Sequence, residues 1–251
     1  MQRILKTIVE QKRKRIPAQL PEQGPYTPRR GHFSDMMKEK GISFICEYKK
    51  ASPSKGNIRG DLTPEETALM YQKGGARAIS VLTEEDFFKG SLDFIGRIRA
   101  VTGLPVLRKD FICEEVQVRE TACAGADCIL LIASVLGEKL GTFVEKSHES
   151  GLDVLAEVHS RVELRDVLET EADMIGINNR DLNTFTVSLE TTAQISRCMD
   201  GQRILISESG IRTREDVEYL ESCGADGVLV GETLMRSSDI VSALAGLRGA
   251  V

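Results

Sequence analysis

The chain has 251 residues, 41% of them hydrophobic and 28% charged, which is the composition of an ordinary globular protein with enough length to bury a large core. No apolar run approaches the roughly 20 residues that span a bilayer, and the start Met1-Gln-Arg-Ile-Leu-Lys6 lacks the apolar block of a secretory signal, so no membrane partner and a cytoplasmic location are expected. The net charge of −5 conceals a basic start: residues 1–55 carry 13 Lys/Arg against 5 Asp/Glu.

Residues 2–15 read as an amphipathic helix, with Ile4, Leu5, Ile8 and Val9 on one stripe. Lys12-Arg-Lys-Arg15 closes it, where cations favour the helix C-terminus. With no aromatic stacking platform beside this basic run, no nucleic-acid partner is expected. Residues 17–31 hold four of the seven prolines, plus Gly24 and Gly31, and read as an extended connector. Ser34–Glu39 reads as a second short helix. Residues 1–43 thus form an N-terminal helical extension that needs a surface for its apolar stripe, packed on a main body of residues 44–251 as a single domain.

Phe44-Ile-Cys-Glu-Tyr-Lys-Lys-Ala-Ser-Pro-Ser-Lys-Gly56 opens that body. Ile45, Glu47 and Lys49 share one face of an extended strand, so an apolar run ends in an acid and a base. Buried charges of this kind require partners or a substrate; a frayed strand end with solvated charges is the alternative. Pro53 and Gly56 stop the strand, leaving Ser52, Ser54 and Lys55 in a loop suited to an anion.

From residue 44 onward a strand–helix alternation repeats eight times, with strands at 44–49, 77–82, 105–109, 127–132, 153–157, 173–178, 203–208 and 226–230. These Val/Ile/Leu-rich runs suit parallel strands covered on both sides. Helical patterns lie between them, at Pro64–Lys73, Glu114–Cys123, Leu136–Glu149 and Thr213–Ser222. Thr63 and Thr213 offer N-caps, with acids in the following turn. Gly74-Gly-Ala-Arg-Ala-Ile79, Ala124-Gly-Ala-Asp-Cys-Ile129, Glu171-Ala-Asp-Met-Ile175 and Cys223-Gly-Ala-Asp-Gly-Val228 recur about every 50 residues, two βα units per period. Eight such units with short loops predict an α/β fold, a (β/α)8 (TIM) barrel with an N-terminal helical extension. An open doubly wound sheet is the competing topology, but no Gly-x-Gly-x-x-Gly opens the first βα turn.

A barrel builds its site at the C-terminal ends of its strands. Those ends supply Glu47, Lys49 and Ser52; Thr83, Glu84 and Glu85; Leu107-Arg-Lys-Asp-Phe111; Glu157; Asn178-Asn-Arg180; Glu208-Ser-Gly210; and Gly231-Glu232. The strand starts carry little beyond turn residues. Ser209, Gly210, Gly231 and Glu232 would bring backbone N–H groups to a phosphate; tight turns are the alternative reading of the glycines. Lys109 shares a face with Leu107 and Phe111, so burial is expected to lower its pKa. Glu47, Glu157 and Glu208 would converge on the same cavity, where opposite charges keep the lysines protonated. The set suits general acid–base work, a structural ion-pair network is the alternative, and a desolvated lysine is also a candidate Schiff-base nucleophile. Phe88, Phe111 and Leu130 offer an apolar wall for an aromatic substrate; core packing is the alternative reading of each. Six cysteines without a Cys-x-x-Cys pair and three scattered histidines give no metal-ligand spacing, so neither metal nor disulfide is expected.

Six ordered motifs, spread over essentially the whole chain, resemble the indole-3-glycerol phosphate synthase family. They are Glu47–Gly56, Leu82-Thr-Glu84 with Phe88-Lys-Gly-Ser91, Leu107–Phe111, Gly176-Ile-Asn-Asn-Arg-Asp-Leu182, Ser207-Glu-Ser-Gly-Ile211 and Val230-Gly-Glu-Thr-Leu-Met235. The resemblance implies a carboxy-lyase of tryptophan biosynthesis acting on a phosphosugar–anthranilate substrate, with no cofactor. It also implies roles: Lys109 as acid, Glu47 as the base, and Lys49 as holder of the substrate carboxylate or second acid. Glu157 would bond the reacting hydroxyl or orient Lys109, while Glu208 and Asn178 would hold sugar hydroxyls and lysines. Arg180 would secure the anthranilate side or brace loops, and Ser52, Gly210, Gly231 and Glu232 would hold the phosphate. A monomer is the working expectation.

Overall fold

Strands that are apolar on both faces need cover inside and out, and the chain provides it by closing its sheet. The computed structural model describes residues 3–16, 26–53, 56–181 and 184–250. Eight parallel strands form a closed barrel: β1 (Ser43–Tyr48), β2 (Ala78–Leu82), β3 (Val106–Lys109), β4 (Cys128–Ile132), β5 (Asp153–Val158), β6 (Met174–Asn178), β7 (Ile204–Glu208) and β8 (Gly227–Val230). Closure is made by β1, which pairs with β2 on one side and β8 on the other. Every strand boundary lies within one residue of the expected one.

Among the described residues two helices precede the barrel, α1 (Arg3–Arg15) and α2 (His32–Met37). Around it run α3 (Pro64–Gly74), α4 (Asp93–Arg99), α5 (Val116–Cys123), α6 (Ala133–Leu136), α7 (Leu140–Glu149), α8 (Arg161–Leu168), α9 (Glu190–Ile195), α10 (Arg214–Ser222), α11 (Glu232–Arg236) and α12 (Ile240–Arg248). Thr63 and Thr213 each form a full capping box, with Glu66 and Asp216 returning the bond to the cap's own N–H. A cap of this kind is worth about 1 kcal/mol. The single helix expected over 136–149 is instead split. Gly137, at a φ of 52°, ends α6, and a 3-10 turn over Gly137–Lys139 leads into α7.

Strand periodicity divides the core in two. Phe44, Cys46, Ile79, Val81, Ile129, Val154, Ile175 and Val228 face outward to the helices. Ile45, Ala78, Leu107, Leu130, Leu155, Met174, Ile206 and Leu229 fill the interior, in one cluster with Leu5, Ile8 and Val9 of α1 and with Phe33 and Met37 of α2. Burying each such side chain contributes about 1.5–3 kcal/mol. The expected connector prolines Pro17, Pro21 and Pro25, with Gly24, lie outside the described residues.

The strand starts are far from bare, contrary to expectation. Asp127, Asp173 and Asp226 each accept the backbone N–H of a residue on the preceding strand, Val106, Val154 and Leu205, at 2.7–2.8 Å. These are the aspartates of the internal repeat. In its first copy Arg77 takes the place, donating to the carbonyls of Glu39, Lys40 and Gly41 and to Ser43 Oγ. Asp153 accepts N–H groups from Gly31, Phe33 and Ser34, and so fixes α2 across this pole. The repeat's turn residues are therefore clasps for the N-terminal end of the barrel.

Candidate active site

At the opposite pole lies a cavity of about 630 Å³. Glu47, Lys49, Ser52, Phe88, Lys109, Phe111, Leu130, Glu157, Asn178, Arg180, Glu208, Ser209, Gly210, Gly231 and Glu232 all line it. Glu47, Lys109, Asn178 and Glu208 reach this wall because each ends, or nearly ends, an apolar strand, whereas Leu130 reaches it from the middle of β4 and Phe88 from the loop after β2.

Lys109, the last residue of β3, reaches across the barrel axis. Its Nζ donates to Glu157 Oε2 and to Glu208 Oε2, each at 3.1 Å. Burial alone would lower the lysine pKa, but the negative charges of Glu157, Glu208 and Glu47 outweigh it and raise it well above the usual range. Of the two opposed influences expected from the sequence, the carboxylates prevail over desolvation, although they come from strands 48 and 99 residues away. Lys49 donates to Glu47 Oε1 in a second buried pair.

The two acids beside Lys109 differ in electrostatic environment. Burial opposes ionisation of Glu157, but Lys109, His159 and a hydrogen bond from Asn178 carry its pKa below the usual carboxylate value. Burial pushes Glu208 up to about 7, reinforced by the charges of Glu157 and Glu47 and only partly offset by Lys109. Its Oε1 has no hydrogen-bond partner among the described residues. Two glycines make room for these carboxylates: a Cβ at Gly231 would overlap Glu47 Oε1, and one at Gly176 would overlap Glu208 Oε1.

Past β7, Ser209 and Gly210 take φ values of 68° and 92°, turning the backbone sharply at the rim. Asn179 anchors this turn, donating to Ser209 O at 3.1 Å and to Ser207 Oγ at 3.0 Å. Beyond β8, Gly231 leads into α11, whose first N–H groups have no acceptor within the helix. Arg180 lies 4.0 Å from Glu232, which also accepts from Arg236 at 3.1 Å. Ser52 sits in a two-residue hairpin strand paired with Gly56–Asn57; the flanking Ser54 and Lys55 lie outside the described residues. Phe88 and Phe111 form a tilted pair with centroids 6.1 Å apart, making one apolar wall.

Thr83, Glu84 and Glu85, like Leu107, Arg108 and Asn179, are expected strand-end residues that do not line the cavity. Glu84 accepts the N–H groups of Asp86, Phe87 and Phe88 and so shapes its own loop. Thr83 donates to Asp110, and Glu85 accepts from Lys12. Other lining residues were not among the sequence's candidates for the site. Ile4, Leu5 and Ile8 of α1 roof the cavity, and Arg212, Thr233 and Arg236 stand on its glycine-turn side. The apolar stripe of α1 announces a buried face but not which surface buries it. Among the described residues no group of three or more His, Cys, Asp or Glu is arranged to hold a metal, and the six cysteines are unpaired.

The family model for indole-3-glycerol phosphate synthase matches residues 1–247. The chain belongs to the indole-3-glycerol phosphate synthase family. It is 49% identical to the indole-3-glycerol phosphate synthase of Thermoanaerobacter pseudethanolicus over 209 residues, covering 83% of this chain and 80% of that one. It is 42% identical to the Petrotoga mobilis enzyme over 243 residues, covering 94% and 93%. A solved 3-hexulose-6-phosphate synthase from Salmonella typhimurium shares the barrel at 15% identity, with a TM-score of 0.68 over 83% of this chain and 98% of its own. A thiamine phosphate pyrophosphorylase from Pyrococcus furiosus does so at 19% identity and 0.62, over 83% and 94%. These two show fold alone. As a member of the indole-3-glycerol phosphate synthase family, the chain is a carboxy-lyase of tryptophan biosynthesis acting on a small phosphosugar–anthranilate substrate.

Proposed function

We propose that the chain converts 1-(2-carboxyphenylamino)-1-deoxyribulose 5-phosphate to indole-3-glycerol phosphate, CO2 and water, with Lys109 as the acid of ring closure. The observation that carries this reading is the Lys109 ammonium held between Glu157 and Glu208 at the cavity wall. A lysine kept protonated in this way is a proton donor, and a Schiff-base nucleophile would have to be neutral.

In the first step the anthranilate ring carbon bearing the carboxylate attacks the ribulose carbonyl carbon. The carbonyl oxygen takes a proton from Lys109, since the alkoxide that develops is more basic than the ammonium. Cleavage of the carboxylate bond then releases CO2 and returns its electron pair to the ring. Dehydration follows: an acid protonates the new hydroxyl, which leaves as water, while a base removes a ring proton. Glu47, tethered to Lys49, is assigned as that base, and Lys49 as holder of the carboxylate or second acid. Glu157 orients Lys109, and Glu208 with Asn178 receives sugar hydroxyls. The phosphate is assigned to the glycine turns after β7 and β8 and to Ser52, the pole where such barrels hold phosphates. Arg180 is assigned to the anthranilate side, and Phe88, Phe111 and Leu130 to the faces of its ring.

Residues 1–43 and 44–251 are proposed to work as one unit, because α1 supplies the cavity roof. A monomer is proposed because one chain supplies every wall described, and sedimentation at assay concentration tests it. A cytoplasmic location without nucleic-acid or membrane partner is proposed from the family's small-molecule biosynthetic substrate. No described helix is long and apolar enough to cross a membrane. The deciding experiment is formation of indole fluorescence from the carboxyphenylamino sugar phosphate. Absence of product would refute the proposed reaction.

A further inference from the structure

Behind the cavity wall stands a histidine that the mechanism above does not use. His159 follows β5 directly, its side chain is 8% exposed, and it is not among the residues lining the cavity. Its Nε2 is enclosed by protein, has no hydrogen-bond partner among the described residues, and points at Glu157 Oε1, 3.4 Å away. That oxygen is the one Lys109 leaves free, since Lys109 donates to Oε2. On the far side, Nδ1 lies 3.6 Å from Glu163 Oε2. Glu163 also accepts the backbone N–H of His159 at 2.6 Å, and its own N–H is capped by Ser160 at the start of α8. The Glu163 side chain is 23% exposed, so the row Glu163–His159–Glu157–Lys109 runs from a partly solvated edge to the centre of the site.

We propose that His159, braced by Glu163, is a positioning residue that holds the second oxygen of Glu157 in place and keeps that carboxylate an anion beneath Lys109. The inference rests on the reading of Glu157 as part of the catalytic set. The groups facing His159 are Glu157 from β5, Glu163 from α8 and, at longer range, Glu208 from β7. Burial disfavours the imidazolium, yet these three carboxylates together favour it, Glu163 foremost. The cation in turn draws Glu157 toward ionisation, second only to Lys109. A neutral side chain in its place would leave Glu157 easier to protonate, and a protonated Glu157 has one less charge with which to hold Lys109.

The test is the pH profile of kcat/KM for the wild type, His159→Gln, Glu163→Gln and Glu157→Gln, beside an NMR titration of the His159 ring. His159→Gln is expected to move the acid limb upward by about 1 pH unit, the size of a close opposite charge. Glu163→Gln is expected to move it in the same direction by less, and to lower the His159 titration midpoint from a wild-type value above that of ordinary histidine. Glu163 is partly solvated, so this variant reports on the brace even if His159→Gln unfolds. If Glu157→Gln retains full turnover, the catalytic reading fails and takes this inference with it. If Glu157→Gln abolishes turnover while the His159→Gln and Glu163→Gln profiles superimpose on the wild type, the positioning role alone is overturned.

Discussion

Lys12 of α1 and Asp110, the residue after Lys109, form an ion pair of 2.8 Å with both side chains almost fully buried. Glu85 accepts a second bond from the same ammonium at 3.1 Å, and Arg108 holds Asp110 from behind at 3.0 Å. The pair locks the cavity roof to the strand that carries the central lysine. Lys12→Met should therefore lower stability by about 1–3 kcal/mol, the cost of leaving a charged acceptor short of a partner. It should also raise KM more than it lowers kcat, because Leu5 and Ile8 would lose their fixed place over the substrate. Unchanged KM in a folded Lys12→Met would show that the roof does not depend on this pair.

Lys109→Ala should lower kcat by at least about 10²-fold, the scale of one general-acid contribution, and leave a folded protein by circular dichroism. Borohydride added with the carbonyl substrate should label no lysine at this site. Turnover within a few-fold of wild type would remove Lys109 as the acid, and a borohydride adduct on it would restore the Schiff-base alternative.

Glu208 gives stability a definite pH sign. An unfolded glutamate releases its proton at the ordinary carboxylate value, whereas the native one retains it up to about 7. The native state therefore binds more protons across that window, and the stabilisation, fully present below it, is lost as pH rises toward 7. Glu208→Gln should flatten the fall in denaturation midpoint between about pH 4.5 and 7. An equally steep fall in the variant would mean that other groups produce it.

Gly231→Ala probes the close packing of Glu47. The backbone at Gly231 has an ordinary negative φ of −125°, so the added methyl acts by overlap with the Glu47 carboxylate and not by strain. Displacing that carboxylate by a fraction of an ångström to 1 Å should reduce kcat/KM by up to about 10²-fold. Gly96→Ala, where a Cβ would meet nothing within 4 Å, is the control and should be silent.

Barrel strands such as Leu107–Lys109 were legible because parallel strands covered on both faces read as continuous apolar runs, and Gly, Pro and Asp punctuate them. The place of the candidate site was legible for a related reason: Glu47, Lys109, Glu157 and Glu208 interrupt such runs where hydrophobic burial predicts none. Long-range geometry was not. Asp127 and Asp226 looked like turn residues, since nothing local reveals that their side chains reach back to Val106 and Leu205. At Lys109 the two opposed influences were legible but not their balance, because barrel closure sets how near the carboxylates come.

The clasps at the N-terminal end carry a consequence for how this chain can change. Aspartates 127, 173 and 226 hold strand to strand without approaching the pole where acids and amines crowd together. These fastenings and the candidate catalytic groups thus sit at opposite ends of one cylinder. Exchanging rim loops for those of another sugar-phosphate enzyme would leave the aspartate fastenings below untouched, though not the Lys12–Asp110 lock at the rim itself.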